Sequence, residues 1–271
     1  MPASTRIIGK NARLYLGRSA FYLAMFEMEN TAEFNFDDDT PYGQDWRQTT
    51  LIDGQIGMSV NAYMDTAQIG GNPAVDEVTD IPYLEAYDSD MDGIWNDQEA
   101  VPTPTTIPIT FVPGNTAARG DPCKFFNSSL GSLAISANRN EVNKLRGRFM
   151  GRSRYHSGIL IAQQESAFTG TTYIPADPNG TDLAAAGVSG VAAALHVYNK
   201  SGAANLTVSI EESSTGVGAW TTALTFAVLT TRGTEYKEDT AVAVGKRYHR
   251  VKVILASGTE TVGLVVSSQN I

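Results

Sequence analysis

The chain has 271 residues, 42% of them hydrophobic, with a formal net charge of −9. That length suits one large or two ordinary domains, and that apolar content excludes a disordered chain. A single cysteine, Cys123, excludes an internal disulfide, and 20 basic against 29 acidic residues disfavour a general polyanion-binding surface, which needs clustered Lys and Arg.

Met1 to Lys10 lacks the apolar stretch of a secretion signal, and Ala20 to Met28 is too short to span a bilayer and contains Glu27. The expectation is a soluble protein made in a bacterial cytoplasm that leaves inside a particle, without a membrane partner. Asn11 to Leu16 reads as a first strand ending at Gly17, and Phe21 to Met28 is a second apolar run. Thr31 to Phe36 alternates and meets Asp37, Asp38 and Asp39, most simply a solvated turn. Ile56 to Met64 alternates again, with Ile56, Met58, Val60 and Ala62 on one side, the period of a half-buried strand.

Gly70 to Pro108 reads as a long insertion broken by prolines, and Ile107 to Val112 resumes a strand. Asp121 and Pro122 look like the N-cap and first position of one short helix, with Cys123, Phe126 and Leu130 along one stripe. Leu133 to Ala137 and Val142 to Phe149 read as paired strands. Gln163 to Gly190, rich in Thr, Ala, Gly and Pro, reads as a linker. Beyond it Leu195 to Tyr198, Leu206 to Ile210, Leu224 to Val228, Tyr248 to Leu255 and Val262 to Val266 read as the strands of a small β-sandwich. The fold class expected is therefore mainly β. A first β domain over residues 1–165 carries the insertion at about 70–105, residues 166–190 link, and a sandwich fills residues 191–271.

Acidity is concentrated. Nine acidic residues and no basic one lie between Asp76 and Glu99, leaving 20 acidic against 20 basic elsewhere. Within that stretch residues 88–99 match the twelve-residue calcium loop D-x-D-x-D-G-x5-E. Asp88, Asp90 and Asp92 place oxygens around a hard cation, Gly93 permits the turn, and the Ile94 carbonyl is a backbone ligand. Asn96 acts through a water and Glu99 closes the shell with both oxygens. The competing reading is a solvated acidic loop. Pro102 and Pro104 leave barely one helical turn after the loop, so a structural Ca2+ that staples the insertion is expected rather than a calcium sensor.

Other signals are weaker. Lys144, Arg146 and Arg148 share parity on one strand, continued by Arg152 and Arg154, and suit subunit contacts or solvent better than nucleic acid, since no aromatics interleave. The histidines His156, His196 and His249 have no ligand-type spacing, and there is no nucleophile elbow or P-loop. Cys123 carries no nucleophile signature and reads as packing. Trp220, after a Gly/Ser-rich turn, is either a sugar-stacking platform or a core anchor, the second being commoner. No enzyme is expected.

The opening Gly9-Lys10-Asn11-Ala12-Arg13-Leu14-Tyr15-Leu16 resembles the first strand of major tail tube proteins of siphophages, long-tailed bacteriophages with non-contractile tails. So does the run Asp45-Trp46-Arg47, then Leu51-Ile52-Asp53-Gly54, then Ile56 to Asp65. Ile107 to Val112, Ala118 to Leu130 and Leu133 to Phe149 follow the family's order of a strand, a Gly-rich turn with a short helix, and two closing strands. Ser213, Trp220, Phe226 and Lys246-Arg247-Tyr248-His249-Arg250-Val251 are similar to a module often appended to such proteins. The calcium loop departs from that pattern. The resemblance implies a tail-tube-like sandwich or barrel and a tube of stacked hexameric rings. It also implies a lumen that holds a tape-measure protein and later passes DNA without specific binding, terminator and tip proteins at the ends, and an outer C-terminal decoration. The alternative is a virion or cell-surface adhesin with a carbohydrate-binding sandwich.

Overall fold

A computed structural model describes residues 13–17, 19–20, 25–38, 49–63, 106–113, 118–136, 144–176, 179–184, 186, 190–240 and 246–271. Its fourteen strands belong to one hydrogen-bonded sheet, every pairing between them is antiparallel, and there is no helix among the described residues. The fold is mainly β.

The first half comprises β1 (Arg13–Leu16), β2 (Ser19–Ala20), β3 (Met25–Asp38), β4 (Thr49–Tyr63), β5 (Ile107–Val112), β6 (Pro122–Ser136) and β7 (Lys144–Gly151). Gly17, at φ 57°, makes the turn that lets β1 fold back onto β2. Asp37 and Asp38, expected as a turn, pair with Thr50 and Thr49 at the end of the long β3–β4 hairpin. Then come β8 (His156–Ile174) and β9 (Thr181–Asp182), followed by β10 (Val191–Lys200), β11 (Leu206–Ser213), β12 (Thr221–Thr225), β13 (Gly233–Asp239) and β14 (Tyr248–Asn270).

Two expectations are corrected. The short helix expected after Asp121 is the strand β6. The Asp121 side chain accepts the Ala118 N–H at 2.8 Å and its own N–H donates to the Ala118 carbonyl at 3.0 Å. Its capping chemistry therefore closes a tight turn, with Gly120 at φ 93°, instead of starting a helix. Cys123, Phe125, Phe126 and Ser128 are then buried between β5 on one edge and β7 and β8 on the other. The first part of the expected linker, residues 163–174, is also strand. It is the second half of β8 and pairs with β14 from Thr259↔Thr169 to Val265↔Gln163 and from Val251↔Ile174 to Ile254↔Thr171. Phe168 anchors it in the core, and its threonines suit a half-exposed strand.

β14 is longer than expected. Tyr248–Leu255 and Val262–Val266 are halves of one strand, with a register break between Ile254 and Thr259 and Gly258 at φ 73°. The halves fold towards each other, so that the His249 ring comes within 3.0 Å of the Ser268 hydroxyl. Between them lies the main core, including Val251, Val253, Leu255, Val262, Leu264 and Val266.

β10 joins the two parts of the chain. Val191, Ala193, Leu195 and Val197 face that main core. The alternate residues Ala192 and Ala194 face a second core with Tyr15, Val112, Cys123, Phe125, Leu160 and Val265. Both faces of β10 are buried, so it carries no alternating pattern. The small alanines permit close approach at this seam. Nearby, a Cβ on Gly158 would stand 2.5 Å from the Ser268 carbonyl oxygen and 2.6 Å from the Phe125 ring.

Candidate functional site

The calcium-loop residues Asp88, Asp90, Asp92, Ile94, Asn96 and Glu99 lie outside the described residues. Among the described residues, no group of three or more His, Cys, Asp or Glu side chains could hold a metal. The features that remain are sheet edges, a polar face and the seam.

β3, β4, β7 and β6 form a four-stranded section, with β4 between β3 and β7, and β7 between β4 and β6. Its rows follow from the register. Glu29, Ser59, Arg148 and Ser132 lie in one row, and Glu27, Asn61, Arg146 and Ala134 in another on the same face. Arg148 is exposed on that face. The alternate row Asn30, Met58, Phe149 and Leu130 belongs to the opposite face, where Met58 and Phe149 are buried. The register thus puts acidic positions of β3 and basic positions of β7 in the same rows, with Arg148 exposed on that face and Met58 and Phe149 packed inward on the other.

Both margins of this section lack a ladder partner among the described residues. β3 pairs with β4 alone. β6 pairs with β5 only from Lys124 to Ser128, so its stretch from Ser129 to Ser136 has β7 on one side and no strand on the other. Among the described residues, residues 49–56 of β4 pair with β3 alone, since the β7 ladder runs only from Gly57 to Tyr63, so the hairpin runs on as a two-stranded ribbon. Arg152 and Arg154 are exposed in the break between β7 and β8, where Arg152 Nε donates to Ser129 Oγ at 2.8 Å.

The edges of the second half are covered differently. β13 presents Glu235, Lys237, Glu238 and Asp239, charges that discourage pairing. Lys237 Nζ donates to the Thr225 carbonyl at 2.5 Å and Glu235 accepts the Ala227 N–H at 2.5 Å, so side chains of β13 fasten the end of β12 and the residues just beyond it.

Trp220 is half-buried and engaged. The Arg250 guanidinium lies between two rings, 4.1 Å from the Tyr173 centroid and 4.4 Å from that of Trp220. Its Nε and a terminal nitrogen reach Glu211 Oε2 at 2.8 and 2.7 Å. Gly180 packs so closely on the indole that a Cβ there would stand 2.4 Å from it. One face of Trp220 is therefore spent on Arg250 and part of its edge on the chain beyond β8, an anchor's arrangement rather than an open platform.

The histidines, which sequence spacing could not connect, are all buried. His196 Nδ1 donates to the Gly17 carbonyl at 2.6 Å and its Nε2 lies 2.9 Å from Thr110 Oγ1, which is 3.1 Å from Ser267 Oγ. His156 stacks on Phe125 with its Nε2 2.8 Å from the Tyr236 hydroxyl, which donates to Glu238 at 2.9 Å. Burial lowers His196 and His249 each to about 4, and burial also lowers His156, opposed by Glu238 and aided by Arg154. Burial pushes the Tyr236 hydroxyl up to about 12 and raises the Cys123 thiol as well, which leaves that thiol unreactive packing. The histidines' shared signal is burial, which single-residue spacing does not carry.

No protein-family model matches this chain, and no curated protein matches it. Solved structures similar to it include a chain from the virion of a native gene transfer agent particle, at 10% identity over 55% of this chain and 97% of that one, with a TM-score of 0.36. Another is the SPP1 tail tube, at 8% identity over 56% and 80%, with a TM-score of 0.38. A third is the SPP1 Dit protein, described as a hub adsorption apparatus in phages infecting Gram-positive bacteria, at 10% identity over 95% and 98%, with a TM-score of 0.32. Scores this low at such identities do not establish a shared fold.

Proposed function

We propose that the chain is a structural protein of a phage-type virion tail, a subunit that assembles with its own copies into stacked, hexameric rings around a channel. The observation that supports this most is the four-stranded section whose two margins have no ladder partner among the described residues, β3 on one side and the end of β6 on the other. An edge pairing of β3 in one copy with β6 in the next is head-to-tail, and such contacts close into rings when the rotation permits. The pairing of acidic positions on β3 with basic positions on β7 in the same rows suits a channel that passes DNA and a tape-measure protein without holding either. Terminator and tip proteins would close the two ends. Sedimentation velocity tests the reading: one discrete species of closed stoichiometry, or longer stacks, is expected, whereas a monomer at every concentration overturns it.

In the same reading a structural Ca2+ is held by Asp88, Asp90, Asp92, the Ile94 carbonyl, Asn96 and Glu99, and stiffens the insertion. Saturation at about a hundred times Kd stabilises by about 2.7 kcal/mol, or about 5 °C in Tm for a domain of this size. Scanning calorimetry in calcium and in EDTA is expected to show that rise, and Glu99→Gln is expected to abolish it. No rise up to millimolar calcium contradicts the site.

A further inference from the structure

We propose that the seam between β10 and the strands β1, β5 and β6 is an acid-released latch with His196 as its trigger: proton uptake there frees this face of β10 while each side keeps its own ladders.

The seam is built for separation. β10 makes ladder bonds only to β13 and β14, and none to β1, β5 or β6. Among the described residues no backbone–backbone hydrogen bond crosses it: Ala192 and Ala194 pack against Tyr15, Val112, Cys123 and Phe125, Tyr15 meets Tyr198, and the His196 relay runs from the Gly17 carbonyl to Thr110 and Ser267. The covalent and ladder link between the two halves runs through β8, which pairs with β6 over four residues and with β14 along most of its length. The faces can therefore part without any ladder breaking.

The relay has one direction when His196 is neutral. The Gly17 carbonyl only accepts, so Nδ1 carries the proton. Nε2 then accepts from the Thr110 hydroxyl, and Thr110 accepts from Ser267. A second proton makes Nε2 a donor, so Thr110 must turn its hydrogen to Ser267, and the Ser267 hydroxyl loses its acceptor. Among the described residues the new charge meets no counter-charge. Around the ring stand Tyr15 on β1, the Gly17 carbonyl, Thr110 on β5, Ser267 and Val265 on β14, and Thr234 on β13, none of them charged.

The other two histidines do not have this character. His156 has Glu238 at 4.0 Å beyond Tyr236 to receive its charge, with Arg154 opposing. His249 bonds Ser268 within the second half and has Glu212 opposite it on β11, so it does not cross the seam. With the seam closed, burial holds His196 near 4, and once open it returns towards 6.5. The open form therefore takes the proton first. The closed form loses ground as pH falls through that window, by up to about 300-fold in the open-to-closed ratio.

Cys123, the chain's one cysteine and 2% exposed, lies on the seam and reports its opening. Labelling of the full chain with 4,4′-dithiodipyridine, normalised to free cysteine at each pH, is expected to quicken about tenfold or more between about pH 7 and about pH 4.5, with far-UV circular dichroism unchanged. In His196→Gln the normalised rate is expected to stay flat. Cys123 protected throughout, labelling that rises only as the dichroism collapses, or a His196→Gln curve that follows the wild type each overturns the latch. Should His196→Gln not fold, Thr110→Val removes the donor to Nε2 and moves the onset to higher pH, and an unmoved onset overturns the latch equally.

Discussion

A chain ending at Glu165 will not melt cooperatively. The resemblance to tube proteins with an appended module makes the C-terminal half an outer decoration, which should be removable. The ladder between β8 and β14, together with the seam, makes it a structural requirement. Removing residues 166–271 uncovers Tyr15, Val112, Cys123, Phe125 and Leu160, all now buried against Ala192, Ala194 and Val265. Full burial of a large side chain is worth about 1.5–3 kcal/mol, and each of these loses only the part that β10 and β14 cover, so the uncovered face costs a few kcal/mol and the lost ladder the rest. β8 also loses its β14 partner along the cut. Thermal melts by circular dichroism are expected to show a broad, non-cooperative transition with strong dye binding to exposed apolar surface. A sharp melt near that of the full chain would show that the first half stands alone.

Arg250→Ala is expected to cost about 3 kcal/mol, the low end for breaking a buried ion pair. Arg250 and Glu211 are 5% and 7% exposed, so the substitution strands the carboxylate in the interior. Lys252 Nζ, 3.5 Å from Glu211 Oε1, relieves part of that, which is why the low end applies. The Tyr173 and Trp220 rings also lose the cation between them. Arg250→Lys keeps the charge but not the planar stacking, and should fall between. The double variant Arg250→Met, Glu211→Gln should recover much of the loss, because no buried charge is left unpaired and Lys252 is partly exposed to water. Denaturant unfolding measures all three. A cost for Arg250→Ala below about 0.5 kcal/mol, as for an ordinary surface residue, contradicts the buried-pair account.

Much of the strand pattern was legible in the sequence, where one face is buried and the other is wet. Ile56 to Tyr63 and Leu206 to Ile210 alternate and lie in β4 and β11. β10 is harder to read, because VAAALHV is buried on both faces and shows no period. Asp121 and Pro122 misled, because a local turn and a helix N-cap ask the same chemistry of Asp. The threonines and glycine of residues 163–174 look like a linker to composition alone, yet the long partner β14 makes them strand. His196 and Thr110 are 86 residues apart and meet only because β10 lies across β5. The calcium loop is the opposite case, an expectation carried wholly by local spacing, on residues outside the described ones.

Self-assembly through the open margins of the four-stranded section is the property on which the tail reading stands or falls. Negative-stain electron microscopy of the purified full chain puts it to the test. Rings of one diameter, sixfold in projection and stacking into tubes as concentration rises, are the result predicted. Single particles of monomer size that never form rings or tubes would contradict it.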